Sequence, residues 1–366
     1  LQNFIKARLG EESAAAVVMD ATNGDLLGIA SSPSFDPNKF VRGISGPDYR
    51  ELTGNKYRPL ANKTVQGLYP PGSTFKMVTA LAALEAGVIS RFEQVNCGGT
   101  YVLANSKFRC WNRGGHGPCN LHRALRESCD VYFYEVARRV GITRLAAMAR
   151  RLGLGQRFAT GIEPVRSGLV PDPDWKRGRF GQSWYKGETL HAGIGQGYVL
   201  TTPLQLAVMT ARIASGLSVT PTVVRPRAPG NDATPAPLGI KAGHLAAVRR
   251  GMWAVVNEGG GTGTSARLED ARLRIFGKTG TSQVARISSR VSQRNLRWDL
   301  RDHALFVGYV ADEKPRYAVA AIVEHGGSGG KVAAPLVRAI VEDCIALDPA
   351  ARPVFDVRTQ TATRKG

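Results

Sequence analysis

A serine hydroxyl is a weak nucleophile until a neighbouring base takes its proton. A lysine three residues further along a helix lies on the same face and can do so. Ser-x-x-Lys begins at Ser73, Ser183 and Ser328, and about one such match is expected by chance at ordinary composition. Context separates the three. Ser183 (Ser-Trp-Tyr-Lys) stands in a loop with Gly187 just after it, and Ser328 lies in a glycine run. Ser73 follows Pro70-Pro71-Gly72 and opens an apolar run, 74–86, with three- and four-residue spacing. That pattern predicts a helix whose N-terminus, with its free N–H groups and dipole, favours developing negative charge at Ser73.

A second pattern stands at Lys278. That lysine begins Lys278-Thr279-Gly280-Thr281 at the end of a short apolar strand. Strand residues alternate faces, so Lys278 and Gly280 share one side, and the glycine allows a substrate backbone to lie close. Ser128-Cys129-Asp130 lies within a helical stretch, 121–140. A hydroxyl two residues before a polar side chain means little by itself; order and company give it weight.

The elements that must position these groups follow from periodicity. Apolar runs at 14–19 and 26–30 flank Asn23-Gly24, a dipeptide suited to a hairpin turn. From 58 to 244 the texture is helical, with runs at 74–86, 121–140, 142–152 and 203–214 and loops at 164–183 and 228–237. Strands return at 274–277 into the Lys-Thr-Gly segment, at 304–310 and at 317–324, and a last amphipathic run, 332–347, predicts a closing helix. Strands from both ends then build one antiparallel sheet with helices packed on it and a helical lobe beside it. Residues 1–57 and 245–350 are expected to form the sheet part, 58–244 the lobe and 351–366 a loose tail of a single 1–366 domain.

The three motifs in this order resemble the penicillin-recognising serine enzymes, with their Ser-x-x-Lys, Ser-x-Asn and Lys-Thr-Gly signature. GLYPPGSTFK, SCDVYFYEVA, GIGQGYVLTTPLQLA, GKTGTSQV and HALFVGY resemble segments of class B penicillin-binding proteins, over nearly the whole chain. Asp130 stands where asparagine is usual, a variant familiar in the elongation-type group, penicillin-binding protein 2. GGHG at Gly114–Gly117 and VEHGGSGG at Val323–Gly330 point the same way. The resemblance implies an α+β fold with a five-stranded antiparallel sheet, flanking helices and an inserted all-helical lobe. It also implies a peptidoglycan DD-transpeptidase, inhibited by β-lactams, with no cofactor needed for catalysis. Ser73 would attack a D-alanyl-D-alanine stem peptide, Lys76, a poor base unless burial and the charge of Lys278 lower its pKa, would be the base, and Ser128 would relay the proton to the leaving amine. Asp130 would orient donors, the N–H groups of Ser73 and Thr281 would form the oxyanion hole, and Thr279 and Thr281 would hold the substrate carboxylate beside Lys278.

Five cysteines occur, four of them (Cys97, Cys110, Cys119 and Cys129) close together. Cys97, Cys110, His116 and Cys129 are separated by twelve, five and twelve residues, looser than paired zinc-finger spacing. Some elongation-type relatives hold zinc in this region, and His116 and Cys129 fit ligand positions there, with Cys97 and Cys110 replacing carboxylates. A structural zinc on these four is the expectation. A Cys97–Cys110 disulfide, favoured by an oxidising periplasm, and a ligand role for Cys119 stand beside it.

Composition narrows the class. Hydrophobic residues are 43% and charged residues 21%, as in a globular protein, and 49 basic against 29 acidic residues give a formal charge of +20. The basic residues are scattered, with no zinc-knuckle, RRM or helix-turn-helix signature, so nucleic acid is not the expected partner; an anionic envelope explains the charge as well. Arginines 286, 290, 294, 297 and 301 read as a solvated loop, and His303 as structural. No stretch reaches the ~18 apolar residues of a membrane span, and the chain opens on Leu1. The expected parent protein carries an N-terminal inner-membrane anchor and pedestal, works in the periplasm, and pairs with a shape-determining glycosyltransferase and elongation-complex proteins. The rival functions are a serine β-lactamase, for which Glu163 and Glu188 are the available acids, a DD-carboxypeptidase, and a penicillin sensor that acylates once.

Overall fold

Alternation within the strands sets the architecture. The computed structural model describes residues 1–223, 234–270, 272–284 and 293–350. Strands β1 (Ala14–Asp20) and β2 (Leu26–Ser32) form the expected hairpin, with Gly24 in the left-handed region at φ 89°. The lobe contributes four short strands, β3 (Val95–Cys97), β4 (Thr100–Leu103), β5 (Ser106–Arg109) and β6 (Gly117–Cys119). β7 (Arg274–Ser282), β8 (His303–Ala311) and β9 (Pro315–Val323) complete the main sheet. Its order is β2-β1-β9-β8-β7 with every pair antiparallel, so β7 forms an edge.

Both faces of this sheet are covered, which is why β1 is buried at every residue. Ala15, Val17 and Met19 of β1, with Leu305 and Val307 of β8, join the core shared with the lobe. Ala14, Ala16 and Val18, with Ala304 and Phe306, join a second core under the helices Gln2–Leu9 and Ala334–Leu347. Register then assigns faces on β7: Lys278 pairs with Val307 and Gly280 with Leu305, so both look toward the lobe. Thr279 and Thr281, opposite Phe306 and Ala304, look the other way.

Several expectations need correction. The stretch 121–140 is not one helix but two, Leu121–Arg126 and Asp130–Val140. Ser73 sits in a 3₁₀ turn, Gly72–Phe75, ahead of the helix Lys76–Glu85. The lobe is not all-helical, because β3 pairs with β6 and β4 with β5. The expected boundary at 244/245 falls inside the helix Ala242–Asn257, and the loop 164–183 contains the helix Pro173–Phe180. The short ribbons escape the period-2 pattern because each is three or four residues long. The tail 351–366, part of the loop 228–237, Arg286 and Arg290 lie outside the described residues. Among the described residues no helix is long and apolar enough to cross a membrane.

Candidate active site

The turn that carries Ser73 is bound on two sides. Gly72 adopts φ 55°, and a Cβ there would lie 2.5 Å from the Thr281 carbonyl oxygen, so only glycine lets the turn meet β7 this closely. Behind it, the Gly72 N–H donates to Gly195 O at 2.9 Å, and a Cβ on Gly195 would meet Gly72 O at 2.3 Å. The segment Gly193–Gly197 is therefore a clamp on the Ser73 turn: Thr79 also donates to Gly193 O at 2.7 Å. Within the 3₁₀ turn, positions i and i+3 eclipse, which sets Lys76 directly over Ser73, and the Lys76 N–H donates to Ser73 O. Ser73 is half-buried.

Lys76 is fully buried, and its three donor positions are all used. Nζ donates to Asp130 Oδ1 at 2.6 Å, Ser128 O at 2.8 Å and Ser128 Oγ at 3.1 Å. The break between the two helices makes this possible. Ser128 takes φ 55°, its N–H donates to Leu125 O at 3.3 Å, and the Cys129 N–H donates to Ala124 O at 2.9 Å. This is a Schellman helix end with serine in the left-handed position that glycine usually fills. A non-glycine residue there costs about 1–2 kcal/mol, and no glycine marks the break in the sequence. Cys129 then caps the next helix, its sulfur accepting from Tyr132 N.

Lys278 is fully buried on the lobe side of the sheet. Burial, and then the positive charge of Lys76, hold its ammonium well below the ordinary lysine range, against the opposing pull of Asp130. The Thr279 hydroxyl pairs with that of Thr262 at 2.8 Å on the opposite face, whereas Thr281 is exposed. Gln196 Nε2 donates to Thr281 O at 3.2 Å. In an antiparallel strand a residue's N–H and C=O point to the same side, so the Thr281 N–H also faces the open edge beside Gly72. The other Ser-x-x-Lys serines are elsewhere: Ser183 and Ser328 are exposed and neither lies in a helix.

Cys97, Cys110, His116 and Cys129 are all buried, with their ligand atoms within 4.8 Å of one another. His116 Nδ1 is 3.5 Å from the sulfurs of both Cys97 and Cys110. All five cysteines are free thiols, so the Cys97–Cys110 disulfide is not formed. Cys119 is also buried, close to Cys129, and stands outside the quartet.

A family model described as the penicillin binding protein transpeptidase domain matches residues 14–342. The chain belongs to that family. It is 37% identical to "Peptidoglycan D,D-transpeptidase MrdA" of Haemophilus influenzae over 355 residues, 93% of this chain and 54% of that protein. To the protein of the same name from Escherichia coli it is 36% identical, over 93% of this chain and 56% of that one. The chain thus spans about half the length of the curated relatives it matches. Among solved structures, Pseudomonas aeruginosa PBP2 in complex with WCK 5153 aligns with TM-score 0.83 and 39% identity, covering 93% of this chain and 72% of that one. Helicobacter pylori PBP2 in its complex with MreC aligns with TM-score 0.85 and 34% identity, covering 94% and 62%. The sheet, its flanking helices and the α+β class are those of the transpeptidase family.

Two residues that bond to this site were not singled out individually from the sequence. Gln196 reaches the β7 edge, and Trp111 contacts the Ser128 segment. A lone glutamine in a glycine turn and a tryptophan in a loop carry no local pattern, so neither had a signal to read.

Proposed function

We propose that this domain is the transpeptidase of an elongation-type penicillin-binding protein 2, cross-linking peptidoglycan through an acyl-enzyme on Ser73. One observation carries the reading: a fully buried lysine, one turn from Ser73, held by the carbonyl and hydroxyl of Ser128 and the carboxylate of Asp130. As the neutral amine, Lys76 takes the Ser73 proton as Oγ bonds the carbonyl carbon of the penultimate D-alanine. The oxyanion forms between the N–H groups of Ser73 and Thr281, a donor pair worth about 3 kcal/mol per member. The C–N bond breaks, the proton passes from Lys76 through Ser128 to the leaving D-alanine, and an amine of a second stem peptide then attacks the ester and frees Ser73. Lys278 supplies positive charge behind Gly280, and Thr281 is the hydroxyl open to the substrate carboxylate; Thr279 reaches it only by leaving Thr262.

The acids that a hydrolase would need are engaged. Glu188 accepts from Lys176 Nζ at 2.5 Å and from Tyr185 N at 2.8 Å. Glu163 accepts from Arg157 and from Val165 N. A penicilloyl adduct should therefore persist. Intact-mass analysis after benzylpenicillin should show one long-lived adduct that Ser73→Ala abolishes and that Ser183→Ala and Ser328→Ala keep. Labelling that survives Ser73→Ala refutes the assignment.

The cysteine–histidine quartet fits a structural zinc. Tetrahedral bonds of about 2.3 Å to sulfur and 2.0–2.1 Å to nitrogen place S and N about 3.5 Å apart, the separation His116 Nδ1 keeps from two sulfurs. Such an ion would tie Cys129, the residue after Ser128, to Cys110 and the β3–β6 ribbon. Purified without chelator, the protein should carry about one zinc per chain, and Cys129→Ser should lose it. Zinc-free protein with Cys97 and Cys110 bridged refutes this.

The parent protein is proposed to be anchored in the inner membrane with this domain in the periplasm. Its proposed partners are a shape-determining glycosyltransferase and elongation-complex proteins, in line with the MreC complex of the Helicobacter pylori protein. A "peptidoglycan synthase complex" structure, 30% identical with TM-score 0.78, supports the same reading.

A further inference from the structure

Trp111 is 58% exposed, yet its polar atoms are turned inward onto the groups that hold Lys76. Its backbone N–H donates to Asp130 Oδ2 at 2.8 Å, while the other oxygen of that carboxylate accepts from Lys76. Its indole Nε1 donates to Ser128 O at 3.1 Å, the carbonyl that also accepts from Lys76, and to Glu127 O at 3.1 Å. The ring itself meets that of His116 edge-on, with centroids 5.5 Å apart, and Cys110 of the buried quartet precedes it in the chain. One residue thus bonds the Asp130 carboxylate and the Ser128 carbonyl, two of the three groups that accept from the buried ammonium, and leans on the cysteine–histidine cluster.

The left-handed Ser128 gives this arrangement a purpose. A serine at φ 55° persists only where its surroundings over-determine it. Its carbonyl has two lone pairs, and Lys76 and Trp111 supply a donor for each. We propose that Trp111 is a positioning residue for the acylation reaction: its indole N–H locks the Ser128 carbonyl in place, so that the Ser128 hydroxyl and the Asp130 carboxylate stay in register with Lys76. The inference rests on the roles given to Lys76 and Ser128 above. It adds a residue whose hydrogen bonds run to Glu127, Ser128 and Asp130, so that it acts through the helix break.

The test replaces the indole N–H alone. Benzothienylalanine at position 111 keeps the ring shape and the backbone N–H and removes the side-chain donor; Trp111→Phe is the simpler companion. Stopped-flow acylation by a fluorescent penicillin separates non-covalent binding from the first-order acylation step. Loss of one hydrogen bond to the carbonyl should slow the acylation step about tenfold. Non-covalent binding should stay within about twofold, and the melting temperature within about 2 °C. A residue serving only as a wall of the cleft would move the binding constant instead, and one serving only stability would move the melting temperature; either pattern overturns the proposal. An isostere that acylates at the unaltered rate overturns it while leaving the roles of Ser73 and Lys76 intact. Failure of the unaltered protein to form any adduct overturns both readings.

Discussion

Gly72→Ala tests the convergence of the turn and the sheet edge with a single methyl group. The new Cβ would lie 2.5 Å from Thr281 O, 3.1 Å from its carbonyl carbon and 3.3 Å from its nitrogen, where ordinary contact begins at 3.4 Å. The Ser73 turn and β7 must therefore part by about 0.9 Å, since Thr281 is touched through backbone and cannot rotate away. Two costs follow. Alanine at φ 55° loses about 1–2 kcal/mol of stability. The parting also carries the Thr281 N–H away from the carbon that Ser73 is proposed to attack, and a displacement near 1 Å at a reacting centre costs about 10²-fold. Stopped-flow acylation by a fluorescent penicillin should thus fall about a hundredfold, with a melting temperature lower by only a few degrees. Gly43→Ala is the control, because Gly43 has φ 85° with nothing within 4 Å of its Cβ position. It should show the stability loss without the loss of acylation. A Gly72→Ala protein that acylates within threefold of the unaltered rate would refute the claim that this contact sets the oxyanion donor.

Glu324, 3% exposed, accepts from Ser13 Oγ at 2.5 Å, Tyr69 OH at 2.8 Å and Arg58 Nη2 at 2.7 Å. Burial alone would raise its carboxyl, but the Ser13 and Tyr69 hydroxyls and the Arg58 and Lys63 charges outweigh it and hold it below the ordinary range. Tyr69→Phe removes a donor from that buried carboxylate and should destabilise the domain by about 1.5–3 kcal/mol in urea unfolding; a change below about 0.5 kcal/mol contradicts the tie. His303, packed against His325 with ring centroids 4.4 Å apart, is lowered by burial, and then by His325, to about 4. The fold favours its neutral ring while the unfolded chain binds a proton near 6.5, so its contribution is whole above pH 6.5 and is lost as pH falls toward 4. His303→Asn should flatten the pH dependence of unfolding across that window, by up to roughly 3 kcal/mol; an unchanged slope would place the acid sensitivity elsewhere.

Local pattern by itself determined a good deal. Short apolar runs placed the β1–β2 hairpin and the three C-terminal strands, because a strand covered on both faces is written as consecutive apolar residues. Pro-Pro-Gly ahead of an apolar run separated Ser73 from Ser183 and Ser328, since a helix start is also a local event. The quartet of Cys97, Cys110, His116 and Cys129 was legible as types and spacing, though its gathering within 4.8 Å was not. What only the tertiary structure decided lies where two segments meet. Ser128 takes a left-handed turn without glycine because Lys76, 52 residues earlier, and Trp111, 17 residues earlier, both donate to its carbonyl. Thr279 turns to Thr262 and Lys278 to Lys76 because register with β8 assigns the faces of β7. Gly72 matters for the Thr281 carbonyl beside it, 209 positions further along the chain. A residue's periodicity reports which side of its own element is buried; it carries nothing about which distant backbone will arrive there, and the chemistry of this site is made at those arrivals.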